Sequence, residues 1–480
     1  VRKKPGFQGE LTNLTLVLEN PTSLLGQLQR GRGQGYIQAL EADRAEVHVA
    51  LIHCVTHDPR WDSQLEERAW YYAELMLRTN LDDLTPIATY LRTITKKAAR
   101  RGELLAVITL GVLAEQGHRG AIDLLRQQVA DGPLWALSLI CLADVPDPVA
   151  MAGLDEVVCR RFPGSSLLAE HDEYLWWHAP PWTGWRQTNP RIARIGYEAE
   201  QRREPRPPKP RVDRRMATSK LLSLTEGRTR RRIGDILGQR IGPKDVALLV
   251  EATRSDSHHA AWAAFWALGV QENPIALPVA LDTIKRLPVA YRVGAYRYIE
   301  ALPPEHTLVP GRKWFLARSW RVRLVGQDVL NHHAQLEDVP MLRTALRTAH
   351  EAQDIFRTAR EAHDMYRECD ILRALARLPQ GGPYHEAATS FMETPSSRCR
   401  RLAAAVLAAA DPAFAATWAV ECLWDCESET RAIGCNHVDV AIPGVLARLR
   451  ELAKDRWEES EVRKAAAARI PKRQPLRSQR

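Results

Sequence analysis

Residues 255–284 read SDSHHAAWAAFWALGVQENPIALPVALDTI. Two apolar segments stand in this stretch, each with apolar residues three and four apart, which is helical rather than strand periodicity. The first, opened by His259, is built mainly of Ala, Trp, Phe and Leu; the second, PIALPVALDTI, starts at Pro274. About thirty residues thus hold one helix pair, and a single pair cannot bury its own apolar face. It has to stack on others.

The pattern recurs along the chain. An Arg opens a small, Ala-rich apolar face at Arg367 (YRECDILRALARL), Arg400 (SRCRRLAAAVLAAAD), Arg431 (ETRAIGCNHVD) and Arg463 (EVRKAAAARI), at steps, by subtraction, of 33, 31 and 32 residues. Upstream, Arg321 and Arg292 lead back to His259 at steps of 29 and 33. The one long step, 46 residues between Arg321 and Arg367, has room for an extra charged helix around residues 345–361. In the N-terminal half Arg68, Glu103 and Trp135 are 35 and 32 apart. Turn chemistry marks the joints at Asp131-Gly132-Pro133, Leu287-Pro288, Pro379-Gln380-Gly381-Gly382-Pro383 and Asp411-Pro412.

In these small and apolar positions the chain resembles the HEAT-like repeat family, most clearly in residues 255–284 and in SEVRKAAAARI. The resemblance covers most of residues 40–470. It implies an all-α fold, an α-solenoid of stacked antiparallel helix pairs with a period of about 32 residues, the small residues letting neighbouring pairs approach closely. The expected organisation is an N-terminal arm or cap over residues 1–35 and HEAT-like repeats over 36–164. A Trp-rich then Pro- and Arg-rich insertion or linker follows over 165–216, then further repeats over 217–470 and a basic tail over 471–480. Pro205, Pro207, Pro208 and Pro210 argue against helix in the linker.

An apolar fraction of 45% with 14 Trp among 480 residues excludes global disorder. The longest nearly unbroken apolar stretch, residues 104–114, falls well short of the roughly 20 residues of a membrane span, so no membrane partner is expected. The chain does not open on a charged-then-apolar leader, and the expected location is cytoplasmic. Eight cysteines are too sparse for a disulfide scaffold.

The net charge of +9 is unevenly placed. Residues 186–232 hold 15 Lys or Arg against 5 acids, and residues 463–480 hold 7 against none, which leaves a net −8 for the other 415. Arg outnumbers Lys 55 to 12, and guanidinium forks suit phosphate geometry. Nucleic acid or another polyanion is therefore expected, if anywhere, on Arg186, Arg191, Arg194, Arg202, Arg203, Arg206, Arg211, Arg214 and Arg215. Trp182 and Trp185, following Tyr174, Trp176 and Trp177, either stack bases or staple the insertion onto the helices by their large apolar area.

Other constellations divide the same way. Cys422, Cys426, Cys435 and His437 supply three thiols and an imidazole within sixteen residues, enough for a tetrahedral metal site. The rival reading is small core cysteines. His48, His53 and His57 lack the glutamate of a zincin motif. Gly31, Gly33 and Gly35 precede a helix at Tyr36 without the βαβ context of a phosphate loop, and read as a flexible joint between arm and array. No cofactor is expected. Some HEAT-like proteins are DNA glycosylases that use aromatics and a carboxylate along a basic groove. By that resemblance Asp256, Trp262, Trp266, Trp314 and Trp320 are candidate material, while Trp262 and Trp266, one turn apart, also read as a core stripe.

Nothing in the sequence assembles a nucleophile, a base and an oxyanion site. The expected function is a non-catalytic repeat scaffold that binds a partner protein through an extended solenoid surface. The alternative is a nucleic-acid-binding HEAT-like protein, one form of which is a DNA glycosylase of the alkylation-repair type.

Overall fold

The computed structural model describes residues 18–60, 66, 68–95, 105–162, 179–201, 212–225, 229–240, 242–353, 361–382 and 384–471. Among these residues all regular structure is helical, with no strand. No helix among them is long and apolar enough to cross a membrane. The chain divides into two compact units: Val1–Pro205 with Pro383–Arg480, and Arg206–Gly382. One boundary falls inside the 165–216 segment and the other after Gly382. The last helices therefore belong to the same unit as the first ones.

In the first unit the helix Leu105–Glu115 is apolar on every side and almost wholly buried, as a core helix must be. It is flanked by Ala69–Arg78, Arg119–Asp131 and Trp135–Ala143. Asp43 starts the helix Arg44–Thr56 by accepting hydrogen bonds from the N–H groups of Ala45 and Glu46, so two otherwise orphaned donors are satisfied. Further along, Ser397–Ala410, Ser428–His437 and Ser460–Arg469 pack one against the next, with His385–Glu393 and Val445–Lys454 lying against them.

In the second unit Thr229–Gly238, His258–Val270 and Val289–Ala301 pack side by side. Small residues set their spacing. A Cβ on Gly234 would stand 2.7 Å from the Trp266 ring, one on Gly238 2.7 Å from Val270, and one on Gly294 2.9 Å from the Trp262 backbone. Ala263, Ala264, Phe265, Ala267 and Leu268 are completely buried between these helices. The helix Val339–Gln353 occupies the long step between Arg321 and Arg367.

Residues 18–93 and 385–469 are locked together inside the first unit by a buried polar joint at Gly31. This residue ends the helix Leu24–Arg30 with φ 67°, the left-handed conformation that favours glycine. Its carbonyl oxygen accepts from the Cys426 N–H (3.0 Å) and from Arg400 (3.3 Å). A Cβ here would stand 2.5 Å from the Cys426 sulfur, and a Cβ on Gly33 would stand 1.9 Å from the Glu421 carbonyl oxygen. Gly31 and Gly33 are thus close-approach positions where a flexible joint was expected.

Guanidinium groups surround the contact. Arg32 forks onto Glu421 (2.9 and 3.0 Å), Arg30 donates to the Glu393 carbonyl (3.0 Å), and Arg68 donates to Glu66 and to the Pro395 carbonyl (2.6 Å each). From the other side Arg400 forks onto Asp425 (2.6 and 3.2 Å), both side chains being fully buried. Burial by itself lowers the Arg400 pKa, and Asp425 more than offsets it, so the guanidinium stays charged. Arg30, which has no carboxylate fork of its own, is lowered to about 10, by burial first and then by Arg32.

Breaking a buried pair on one side leaves an uncompensated charge, which costs about 3–5 kcal/mol. Asp425→Ala is expected to lower unfolding stability by that amount in a denaturant titration, and Arg400→Met with Asp425→Leu together to lower it by less. Equal losses would contradict the burial argument. Cutting the chain at an engineered protease site between Pro205 and Arg206 is expected to leave two fragments that co-elute on size exclusion, because the joint spans the cut. Separation without denaturant would disprove the joint.

Candidate functional site

The described part of the basic segment is divided between the two units. Arg202, Arg203, Arg206 and Arg211 lie outside the described residues, as do Tyr174, Trp176 and Trp177. Trp182 is buried, meets Trp185 edge to face at 5.3 Å, and both belong to the core of the first unit. The buried Trp182 offers no open face for a base, while Trp185 is half-buried and packs against the same core. Arg191 donates to the Phe162 carbonyl (3.2 Å) and Arg194 pairs with Glu198 one turn on (3.1 Å). Arg186 runs along Gly196, where a Cβ would stand 2.9 Å from its Nε. Arg214 and Arg215 are exposed and belong to the second unit.

The four candidate metal ligands do not converge. Among the described residues no three His, Cys, Asp or Glu side chains are grouped to hold a metal ion. The Cys426 sulfur sits beside Arg400 (3.3 Å) in the joint, Cys422 faces Gly434, and the His437 ring lies edge to face on Phe414. Cys435 is a fully buried packing residue. Six free thiols, Cys54, Cys141, Cys159, Cys422, Cys426 and Cys435, all have their pKa raised, with burial as the main cause. Cys54 and Cys435 are pushed up to about 12. A thiol held protonated is a poor nucleophile and a poor metal ligand. His53 and His57 stack at 4.3 Å, and His48 approaches the Thr79 carbonyl (3.3 Å).

Trp262 and Trp266 stack at 5.1 Å and 11°. Arg230 lies over the first ring (4.9 Å) and Arg231 over the second (5.2 Å), both from the neighbouring helix. Trp262 is only 6% exposed, which suits a core stripe and not an open base-binding platform. The carboxylate at this pair is Asp235, which accepts from Trp266 Nε1 at 2.7 Å. Asp256 instead offers its backbone carbonyl to the Tyr291 hydroxyl, and Trp314 packs against the core.

One surface escaped the sequence reading. Residues 285–323 carry nine Lys or Arg against two Glu, a local +7 hidden by the net negative average around it. A charge count in a sliding window would have found it. Three of these cations are paired, Arg286 with Asp282, Arg297 with Glu300, and Arg312 with Glu337 and Asp338. The other six, Lys285, Arg292, Lys313, Arg318, Arg321 and Arg323, form no ion pair with any described residue.

The helix Val289–Ala301 brings part of this charge together with apolar surface. Val289, Val293 and Tyr296 follow at spacings of four and three, with Arg292 beside them, so they share a face. The Tyr296 hydroxyl donates to the Arg321 carbonyl (3.2 Å), and Arg321 reaches back to the Lys285 carbonyl (2.7 Å). The turns at residues 285–288 and 316–319 are thereby drawn to the same end of the helices. Leu316 is 68% exposed, Val289 65%, and Leu287, Val293 and Trp320 are also open to solvent. The Arg321 guanidinium lies over the Trp320 ring at 5.4 Å.

No family model matches this chain, and no curated protein sequence matches it either. The chemistry of the buried thiols gives a direct test. In the folded protein at neutral pH, Cys54, Cys422, Cys426 and Cys435 are expected to resist alkylation by iodoacetamide until denaturant is added. Rapid native labelling of Cys426, read by peptide mass mapping, would contradict the joint.

Proposed function

We propose that this chain is a non-catalytic, HEAT-like α-solenoid scaffold that binds a partner protein across its stacked helices. The observation that carries the reading is the open surface of residues 285–323, where aliphatic side chains and carboxylate-free cations stand together on adjoining helices. Monomeric proteins seldom leave such a combination uncovered, and a polar rim around exposed apolar residues is the anatomy of an interface. The side-by-side packing of Thr229–Gly238, His258–Val270 and Val289–Ala301, with small residues at the contacts, supports the solenoid part of the reading.

Nucleic-acid binding is the second reading, and the Arg residues of the 186–232 segment and the cations of 285–323 favour it. Its base-excision form needs an aromatic pair open to an extruded base, a condition that the buried Trp262 does not meet. Pull-down with the full chain, with and without nuclease treatment, separates the two. The scaffold reading expects capture of a protein that persists after nuclease. Capture abolished by nuclease would replace it with the nucleic-acid reading.

A further inference from the structure

We infer that the surface formed by residues 285–293 and 316–323 is a docking site for an acidic protein segment with an aliphatic anchor. The inference rests on the scaffold reading and specifies its partner by chemistry.

Charge complementarity carries the argument. Lys285, Arg318 and Arg323 flank the patch, and Arg292 and Arg321 enter it with buried Nε–H groups that have no hydrogen-bond acceptor. Tyr296, whose own pKa burial raises, feels the charge of both Arg292 and Arg321, so the two guanidinium groups stand near one hydroxyl. Both side chains are half-exposed and neither is paired with a described carboxylate, so their outer N–H groups are available to carboxylate or phosphate oxygen. Of the nearest acids, Asp282 pairs with Arg286 and Glu300 with Arg297, while Asp328, which also acts on Tyr296, stands 3.6 Å from His332.

The centre of the patch decides between a peptide and a nucleic acid. Leu287, Val289, Val293 and Leu316 are aliphatic and exposed. They offer burial to a leucine-like side chain, worth about 25 cal/mol for each Å² removed from water, but no ring face on which a base can stack. The rings nearby are engaged: Trp320 carries the Arg321 guanidinium over it, and the Tyr291 and Tyr296 hydroxyls donate to the Asp256 and Arg321 carbonyls. A segment with carboxylates outside and an aliphatic side chain in the middle satisfies both parts, whereas a phosphate backbone satisfies only the rim. Electrostatic attraction would speed its arrival and make the affinity fall with salt.

The test uses the full-length chain and a fluorescent probe peptide in which glutamates flank a central leucine pair. An all-glutamate peptide and a thymidine oligonucleotide serve as comparisons, in fluorescence anisotropy at low salt. Two surface variants are compared, Lys285→Glu with Arg318→Glu, and Val289→Ser with Leu316→Ser. All four positions are exposed, and circular dichroism checks that the helices persist. The leucine peptide is expected to bind about tenfold more tightly than the all-glutamate one. The charge-reversed variant is expected to lose about tenfold or more for both peptides. The serine variant is expected to erase the difference between them. No binding by the native chain overturns the inference, as does binding unchanged in both variants. Tighter binding of the oligonucleotide, lost on charge reversal, assigns the surface to nucleic acid and overturns it too. The two readings fail separately: nuclease-resistant capture of a protein that survives both variants keeps the scaffold and removes this surface.

Discussion

A charged guanidinium buried without a partner is too costly for a protein of marginal stability, and the first unit holds several buried guanidiniums in one place, each with its acceptors. Arg30, Arg32, Arg68 and Arg400 converge on Gly31 and the loop at Asp425. Their acceptors come from opposite parts of the chain: Arg400 lies 369 residues from Gly31, and Arg32 lies 389 from Glu421. The first unit can satisfy these donors only when residues 18–93 and 385–469 are both in place. That requirement explains why a glycine occupies position 31 and why position 33 tolerates no side chain against the Glu421 carbonyl. It also explains why the Cys426 thiol serves packing and not chemistry, since Arg400 and the Gly31 contact already occupy its surroundings.

The second unit solves a different problem. Its helices approach through glycine and alanine, so its core is mostly aliphatic around the Phe265–Tyr298 ring pair, and most of its arginines and lysines stand at the surface. Arg230 and Arg231 cover the tryptophan pair, and their attraction for the rings adds to the packing of Thr229–Gly238 on His258–Val270. Of the cations of residues 285–323, Arg312 holds the buried Asp338 and Arg321 and Arg323 hold turn carbonyls, while Lys285, Arg292, Lys313 and Arg318 form no ion pair with a described residue. Charge spent on packing in one place and left open in another is the physical basis for assigning recognition to the second place.

Much of the helical architecture was legible in the sequence, because apolar spacing of three and four survives in segments such as His258–Val270 and Ser397–Ala410. The recurrent Arg at the start of these helices was legible as well. Its purpose was not: Arg400 pairs with Asp425 and Arg431 with Glu458, acids 25 and 27 residues further on that sit just before the next helix. Periodicity marks a helix face, but it does not mark a loop carboxylate that answers an arginine one helix pair away. The Gly31–Gly35 run misled for a related reason, since close approach and flexibility call for the same residue. The cysteine cluster left a metal site and core packing open, because its members are near in sequence; their sulfurs turn to different neighbours. The basic surface was missed because charge was counted over the whole folded array.

The account depends most on the joint acting as one cooperative element, and native-state hydrogen exchange measures that directly. In the unaltered chain the amides of Leu24–Arg30 and of Ser397–Ala410 are expected to exchange through a common opening. In Asp425→Ala both sets are expected to lose protection together and by the same factor. Loss of protection confined to Ser397–Ala410, with Leu24–Arg30 unchanged, would contradict the claim that the two ends of the chain form a single structure.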